Sequence, residues 1–184
     1  MKKIALFVIL LSLTFINENH AQDLSFGVKA GLNLSSLGGN SSRSYGSKPG
    51  FHAGAVAEIG LTDKFLLQPE ALVSFQGSGN GITGLSNDIN LFYLNVPVAL
   101  KYNVWNELHI EAGPQLSALL GNNIDDFEFY RGTNKIDIGL FVGAGYRLDD
   151  NFYFQLRYNA GFVNAIEDVT SKNRVLQVSA VYFF

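Results

Sequence analysis

An all-β, eight-stranded antiparallel up-and-down transmembrane β-barrel is the fold this sequence predicts, on three observations. Eight stretches alternate apolar and polar residues with a period of two, short connections alternate with long ones, and every charge well inside a stretch falls opposite its apolar face. Period-two alternation marks a strand with two differently solvated faces. Composition agrees, since 19 glycines, 24 aromatics (15 Phe, 8 Tyr and 1 Trp) and only 16% charged residues favour strands over helices.

The chain opens with Lys2 and Lys3, an apolar run from Ile4 to Ile16, and polar residues ending in Asn19-His20-Ala21-Gln22. This is the layout of a secretory signal, with cleavage expected after Ala21, so residues 1–21 read as a signal peptide and 22–184 as the barrel domain. The apolar run falls short of the ~20 residues a spanning helix needs. There is no cysteine, which excludes a lipid-modified N-terminal Cys and a disulfide framework. Removing Lys2, Lys3 and Glu18 leaves 11 basic against 15 acidic residues, a net charge of −4. Nothing basic enough to hold nucleic acid remains.

In chain order the segments are Leu24 to Ser35, Phe51 to Leu61, Phe65 to Gln76, Ile89 to Tyr102, Leu108 to Leu120, Ile136 to Leu148, Phe152 to Asn164, and Asn173 to Phe184. Each exceeds or matches the ~9 to 11 residues with which a tilted strand crosses a bilayer. Thr62 to Lys64, Asn103 to Glu107 and Asp149 to Asn151 are short turns, whereas Ser36 to Gly50, Gly77 to Asp88, Gly121 to Lys135 and Ala165 to Lys172 are long and polar. Membrane barrels carry short turns at the periplasmic end and long loops outside.

Phasing each segment by its apolar residues assigns the faces. In the seventh, Phe152, Phe154, Leu156, Tyr158, Ala160 and Phe162 turn outward, so Tyr153, Gln155, Arg157 and Asn159 turn inward. In the sixth, Ile138, Leu140, Val142, Ala144 and Tyr146 are outward, with Asp137, Phe141 and Arg147 inward between glycines. The same phasing puts Lys29, Glu58, Glu70, Lys101 and Glu111 inside. A lipid-facing Lys or Arg at mid-bilayer would cost ~2 to 4 kcal/mol. The predicted lumen therefore carries Lys29, Lys101, Arg147 and Arg157 against Glu58, Glu70, Glu111 and Asp137, neutral in sum. Eight strands leave an interior that side chains fill, and buried charges persist when paired and hydrogen-bonded. The expectation is a plugged cylinder whose ion pairs mix with His52, His109, Gln68, Gln115, Gln155 and Asn159.

Phe51, Phe65, Tyr102, Trp105, Phe152, Tyr182 and Phe184 lie near segment ends, as interfacial girdles require. Pro69, Pro97 and Pro114 interrupt segments three, four and five, where each removes a ladder donor, so bulges or local breaks are expected there. In the last segment Leu176, Val178, Ala180, Tyr182 and Phe184 share one face. That face resembles the C-terminal strand by which outer-membrane barrels are recognised for insertion, which implies a barrel assembly machinery as partner during insertion and outer-membrane lipid afterwards.

Tyr93-Leu94-Asn95-Val96-Pro97-Val98-Ala99-Leu100-Lys101-Tyr102 resembles a strand motif of the PorT-like outer-membrane β-barrel proteins of Bacteroidetes, an aromatic before an aliphatic-Pro-aliphatic run ending in Lys-Tyr. Phe26 to Asn33, Leu67 to Glu70, Gly113 to Leu116, and Gly143 to Tyr146 through Arg157-Tyr158 are similar to other pieces of that family. Asn95 departs from it, an acidic residue often standing there. The resemblance implies a single barrel in the outer membrane of a Gram-negative envelope. It implies no one activity, because some relatives serve protein secretion and gliding motility and most have no assigned role.

Signals for chemistry are weak. Gly79 to Gly84 fits G-x-G-x-x-G, yet no helix follows to hold a phosphate, so it reads as a surface loop. Asp125, Asp126 and Glu128 could gather a divalent cation or bridge through one to lipopolysaccharide, but their spacing matches no calcium loop and reads as a solvated tip. After signal removal only His52 and His109 remain for a hydrolase, and both are expected as hydrogen-bonded interior histidines. The reading is a small non-enzymatic outer-membrane barrel without cofactor or metal, structural or surface-interacting through its loops, with an envelope protein as candidate partner. The alternatives are a narrow porin-like solute channel, a secretion-system accessory barrel, and a soluble ligand-binding barrel whose apolar face points inward.

Overall fold

The structure, a computed structural model, describes residues 24–38, 47–79, 89–122, 134–164 and 172–184. They form β1 (Leu24–Gly38), β2 (Lys48–Gly60), β3 (Phe65–Ser78), β4 (Ile89–Trp105), β5 (Leu108–Asn122), β6 (Ile136–Arg147), β7 (Phe152–Asn164) and β8 (Lys172–Phe183). Each strand pairs antiparallel with its sequence neighbours, and β1 pairs with β8 to close the barrel. Closure leaves no free sheet edge, which a bilayer demands of any strand that crosses it. Short turns and both ends of the described chain share one rim, and the strand ends that lead into the four long connections share the other. The signal segment, most of the glycine loop (80–84) and the acidic tip at 125–128 lie outside the described residues.

The apolar faces point outward. Leu32, Val142, Val178, Leu156 and Phe154 are among many large hydrophobics left open on the barrel wall, far more than a soluble surface tolerates. This orientation overturns the soluble barrel with an inward apolar face. Aromatic pairs gather at the two rims: Phe65 with Tyr102 at 5.0 Å and Phe152 with Tyr182 at 5.1 Å on the turn side, and Phe51, Phe75 and Phe92 stacked at successive 4.5 Å spacings on the loop side.

Several strands extend beyond the limits read from alternation. β1 continues through Leu37 and Gly38, paired with Asn173 and Lys172, and β2 begins at Lys48. Above the lipid layer the outward positions turn polar, so the apolar signal fades while backbone pairing persists. β4 runs through Trp105, with a register shift between Asn103 and Trp105. The turn expected over Asn103 to Glu107 shrinks to Asn106 and Glu107, with Asn106 in the left-handed region at φ 46°, a conformation Asn tolerates better than most residues.

The prolines do not shift the register. Pairing lapses for two residues between β2 and β3 beside Pro69, between β3 and β4 beside Pro97, and between β4 and β5 beside Pro114, then resumes in the same frame. Each proline stays paired on its other side, with Val98, Gln115 and Leu140 respectively. The missing donor therefore costs one ladder contact on one side only. The register shifts lie elsewhere, at Phe92/Tyr93 and Asn103/Trp105 between β4 and β5 and at Ala160/Asn164 between β7 and β8.

Candidate functional site

Side chains that alternation turns away from lipid meet inside the barrel in three levels. At the middle level, Glu70 of β3 accepts from Lys29 Nζ of β1 at 3.0 Å, from an Arg157 guanidinium nitrogen of β7 at 2.6 Å, and from Gln68 Nε2 at 2.6 Å. Arg157 also reaches Glu111 of β5, with Nε at 2.5 Å, and Gln155 Nε2 donates to the same carboxylate at 3.1 Å. The Arg157 guanidinium lies 4.5 Å from the centre of the Phe141 ring, a favourable cation–π placement. Two cations and two carboxylates make this level neutral.

At the turn end, Glu58 of β2 binds Lys101 Nζ at 2.7 Å and also pairs with Arg147. Lys101 Nζ sits 3.8 Å from the centre of the Tyr153 ring. Tyr153 packs with Val56, Val181 and Phe183 into an apolar floor, and His109 stands edge-on to it at 5.7 Å. This level carries one net positive charge. The Arg147 side chain, 22% exposed, carries part of that charge to the mouth.

At the loop end, Asn33 is the hub. Its amide nitrogen donates to Ser74 Oγ and to the carbonyls of Phe51 and Phe75. Its Oδ1 lies 3.0 Å from Gln177 Nε2 and 2.7 Å from His52 Nδ1. With Oδ1 accepting, His52 carries its proton on Nδ1, and Nε2 accepts from Ser179 Oγ at 2.8 Å. Ser179, His52 and Asn33 thus stand in the order of nucleophile, base and orienting group. Ser179 is only 3% exposed, and the trio forms a buried polar layer that lines neither of two cavities at this end of the barrel. Asp137 also lies at this level, accepting from the Val163 backbone amide at 3.0 Å. Gln115 Nε2 donates to Ser117 Oγ, and Asn159 Nδ2 donates to Gln177 Oε1.

Glycines make room for these side chains. A Cβ at Gly145 would fall 2.1 Å from the Tyr153 hydroxyl, and one at Gly143 would fall 2.8 Å from Arg157 Cγ. The glycine spacing of β6 is thus matched to the bulky lumen face of β7. Sequence phasing did not single out Asn33, Tyr93, Val181 or Phe183, all of them buried. Each sits at an inward position, so parity was the available signal, but nothing in composition marked them as central. On the outer face of β8, Leu176, Val178, Ala180, Tyr182 and Phe184 are all exposed. Among the described residues, no group of three or more His, Cys, Asp or Glu side chains converges as a metal site.

Comparison with known proteins places this architecture. No curated protein matches the chain in sequence. Among solved structures, it is similar to Neisserial surface protein A, with TM-score 0.57 at 15% identity, covering 86% of this chain and 97% of that one. It is similar to Ail, the attachment invasion locus protein of Yersinia pestis, in complex with the heparin analogue sucrose octasulfate, with TM-score 0.57 at 11% identity, covering 88% and 99%. At these identities the likeness is one of fold. The family model of the outer membrane protein beta-barrel domain matches residues 19–167, which takes in seven of the eight strands and the charged face of each. The chain belongs to the outer membrane protein beta-barrel domain family, and its place is the outer membrane.

Proposed function

We propose that this protein is a closed, non-enzymatic outer-membrane scaffold that presents its four long connections outside the cell, for a structural or surface-interaction role. The observation that carries this reading is the lumen. Ion pairs cross it at two levels, Lys29/Arg157 with Glu70/Glu111 and Lys101/Arg147 with Glu58, above an apolar floor of Tyr153, Val181 and Phe183. A solute would have to separate buried, hydrogen-bonded charges to pass, and breaking such a pair is costly. A rigid wall with variable connections is a common arrangement for recognition.

Within this reading the first 21 residues act as an export signal, and the outward face of β8, from Leu176 to Phe184, is what the assembly machinery recognises. The run from Tyr93 to Tyr102 supports membership of the PorT-like group. A secretion role rests on that likeness alone and stays a fold-level analogy.

The test is planar-bilayer conductance of refolded protein whose folding is first established by a heat-modifiable gel shift. The scaffold predicts no stable unit steps. Reproducible steps at moderate voltage would overturn it in favour of a narrow solute channel. Cross-linking in cells then identifies any envelope partner.

A further inference from the structure

We propose that the loop end of the lumen holds one monovalent cation of sodium size, bound by the Asp137 carboxylate together with the side-chain carbonyl oxygens of Asn159 and Asn173. Three independent features converge there. The first is charge. Lys29 and Arg157 are matched by Glu70 and Glu111, while Lys101 and Arg147 share Glu58. Asp137 is 9% exposed, and its hydrogen bonds come from backbone amides such as that of Val163. Among the described residues no lysine or arginine pairs with it, so one buried negative charge stands apart from the network.

The second feature is space. A cavity of about 10 Å³ is lined by Asp137, Asn159, Asn173, Gln76, Gln115 and Ser117. That is room for one particle the size of a water molecule. Gly161 helps to open it, since a Cβ there would fall 2.2 Å from Asp137 Oδ2.

The third feature is the orientation of the amides. Asn159 Nδ2 is committed to Val175 O at 3.2 Å and Gln177 Oε1 at 3.0 Å, which fixes the amide and leaves its Oδ1 for the cavity. Gln76 and Gln115 direct their nitrogens to Ser74 and Ser117. Among the described residues, nothing donates a hydrogen bond to the Oδ1 atoms of Asn159 and Asn173, in side chains each 6% exposed. The lining thus combines one negative charge with two buried acceptors and turns its donors elsewhere.

A single water has two hydrogens for three acceptor groups and brings no positive charge to an ionised Asp137. A cation satisfies all of them. Calcium takes six to eight oxygens and draws on several carboxylates, and magnesium keeps several of its waters. A one-particle cavity with one carboxylate fits neither and fits a dehydrated monovalent ion. Such an ion would neutralise Asp137 and tie β6, β7 and β8 together beneath the long connections.

The test uses the folded barrel. Urea unfolding from lipid vesicles is measured in sodium chloride and in N-methyl-D-glucamine chloride at constant ionic strength, for the wild type and Asp137→Asn. The wild-type unfolding constant should fall about tenfold for each tenfold rise in sodium above the dissociation constant, and the variant should show no difference between the salts. Wild-type crystals soaked in thallium(I) acetate supply a readout that needs no variant, with an anomalous peak expected between Asp137, Asn159 and Asn173. Equal wild-type midpoints in the two salts, sodium dependence that survives in Asp137→Asn, or thallium bound only elsewhere would overturn the proposal and leave the cavity to water.

Discussion

Glu70 is the carboxylate whose loss should damage the lumen most. Among the described residues it alone forms an ion pair with Lys29, and it shares Arg157 with Glu111. Glu70→Gln keeps the shape but strands the Lys29 ammonium among buried side chains, while Arg157 keeps Glu111. Breaking a buried ion pair from one side costs about 3–5 kcal/mol, most of it the uncompensated charge. Glu111→Gln strands nothing outright, because Arg157 retains Glu70, so its cost should be that of weakened charge-assisted hydrogen bonds, about 1.5–3 kcal/mol. The double variant Lys29→Met/Glu70→Gln removes both charges and leaves Arg157 with Glu111 as a neutral pair. It should be more stable than Glu70→Gln alone, with a coupling energy of about 0.5–3 kcal/mol. The assay is urea unfolding from lipid vesicles, with the slope checked for constancy so that midpoint shifts report stability. Equal costs for the two single variants, or a double variant no better than Glu70→Gln, would refute the assignment of Lys29 to Glu70.

Three further outcomes follow from the geometry. Gly145→Ala places a Cβ 2.1 Å from the Tyr153 hydroxyl and should destabilise by about 1–3 kcal/mol through overpacking, read as a lower urea midpoint. Val142→Arg puts a charge at the centre of the outward face of β6, where Val142 is 59% exposed, and should cost about 2–4 kcal/mol in lipid; unchanged stability in lipid would contradict the inside-out assignment. Asn95→Leu replaces a buried amide whose nitrogen and oxygen both lack hydrogen-bond partners among the described residues. It should leave stability unchanged or raise it by about 1–3 kcal/mol, and a clear loss would show that the amide has a partner after all.

Much of this was legible in the sequence because a membrane barrel writes its geometry in parity. Once Phe154, Leu156 and Tyr158 were set outward, Gln155, Arg157 and Asn159 had no other direction to take. Charges marked the lumen for the same reason. Pairing was not legible, since Glu70 meets Lys29 two strands away and Arg157 across the barrel, at sequence separations of 41 and 87. Such partners depend on strand stagger, which no single segment encodes. Strand ends were misjudged where backbone pairing outlasts the apolar layer, as at Leu37 and Lys48. The prolines misled for a related reason: an inward or outward face says nothing about which neighbour receives the missing donor.

The interior charges also bear on how the fold is specified. Replacing a buried ion pair with packed apolar residues is often neutral or stabilising for a soluble core, so stability alone does not explain four lumen cations here. In a bilayer the alternative to the lumen is lipid. A one-residue slip in any strand turns its whole inward set outward, so a slip of β7 would carry Arg157 from Glu70 and Glu111 into hydrocarbon, at about 2–4 kcal/mol for the exposed charge and about 3–5 kcal/mol for the broken pair. Lys29 on β1 and Lys101 on β4 impose the same penalty on their own strands. Glutamates on β2, β3 and β5 and cations on β1, β4, β6 and β7 therefore act as register marks distributed around the wall. That role accounts for a polar lumen filled with paired charges, because the same side chains that fill it fix the stagger of the strands that carry them.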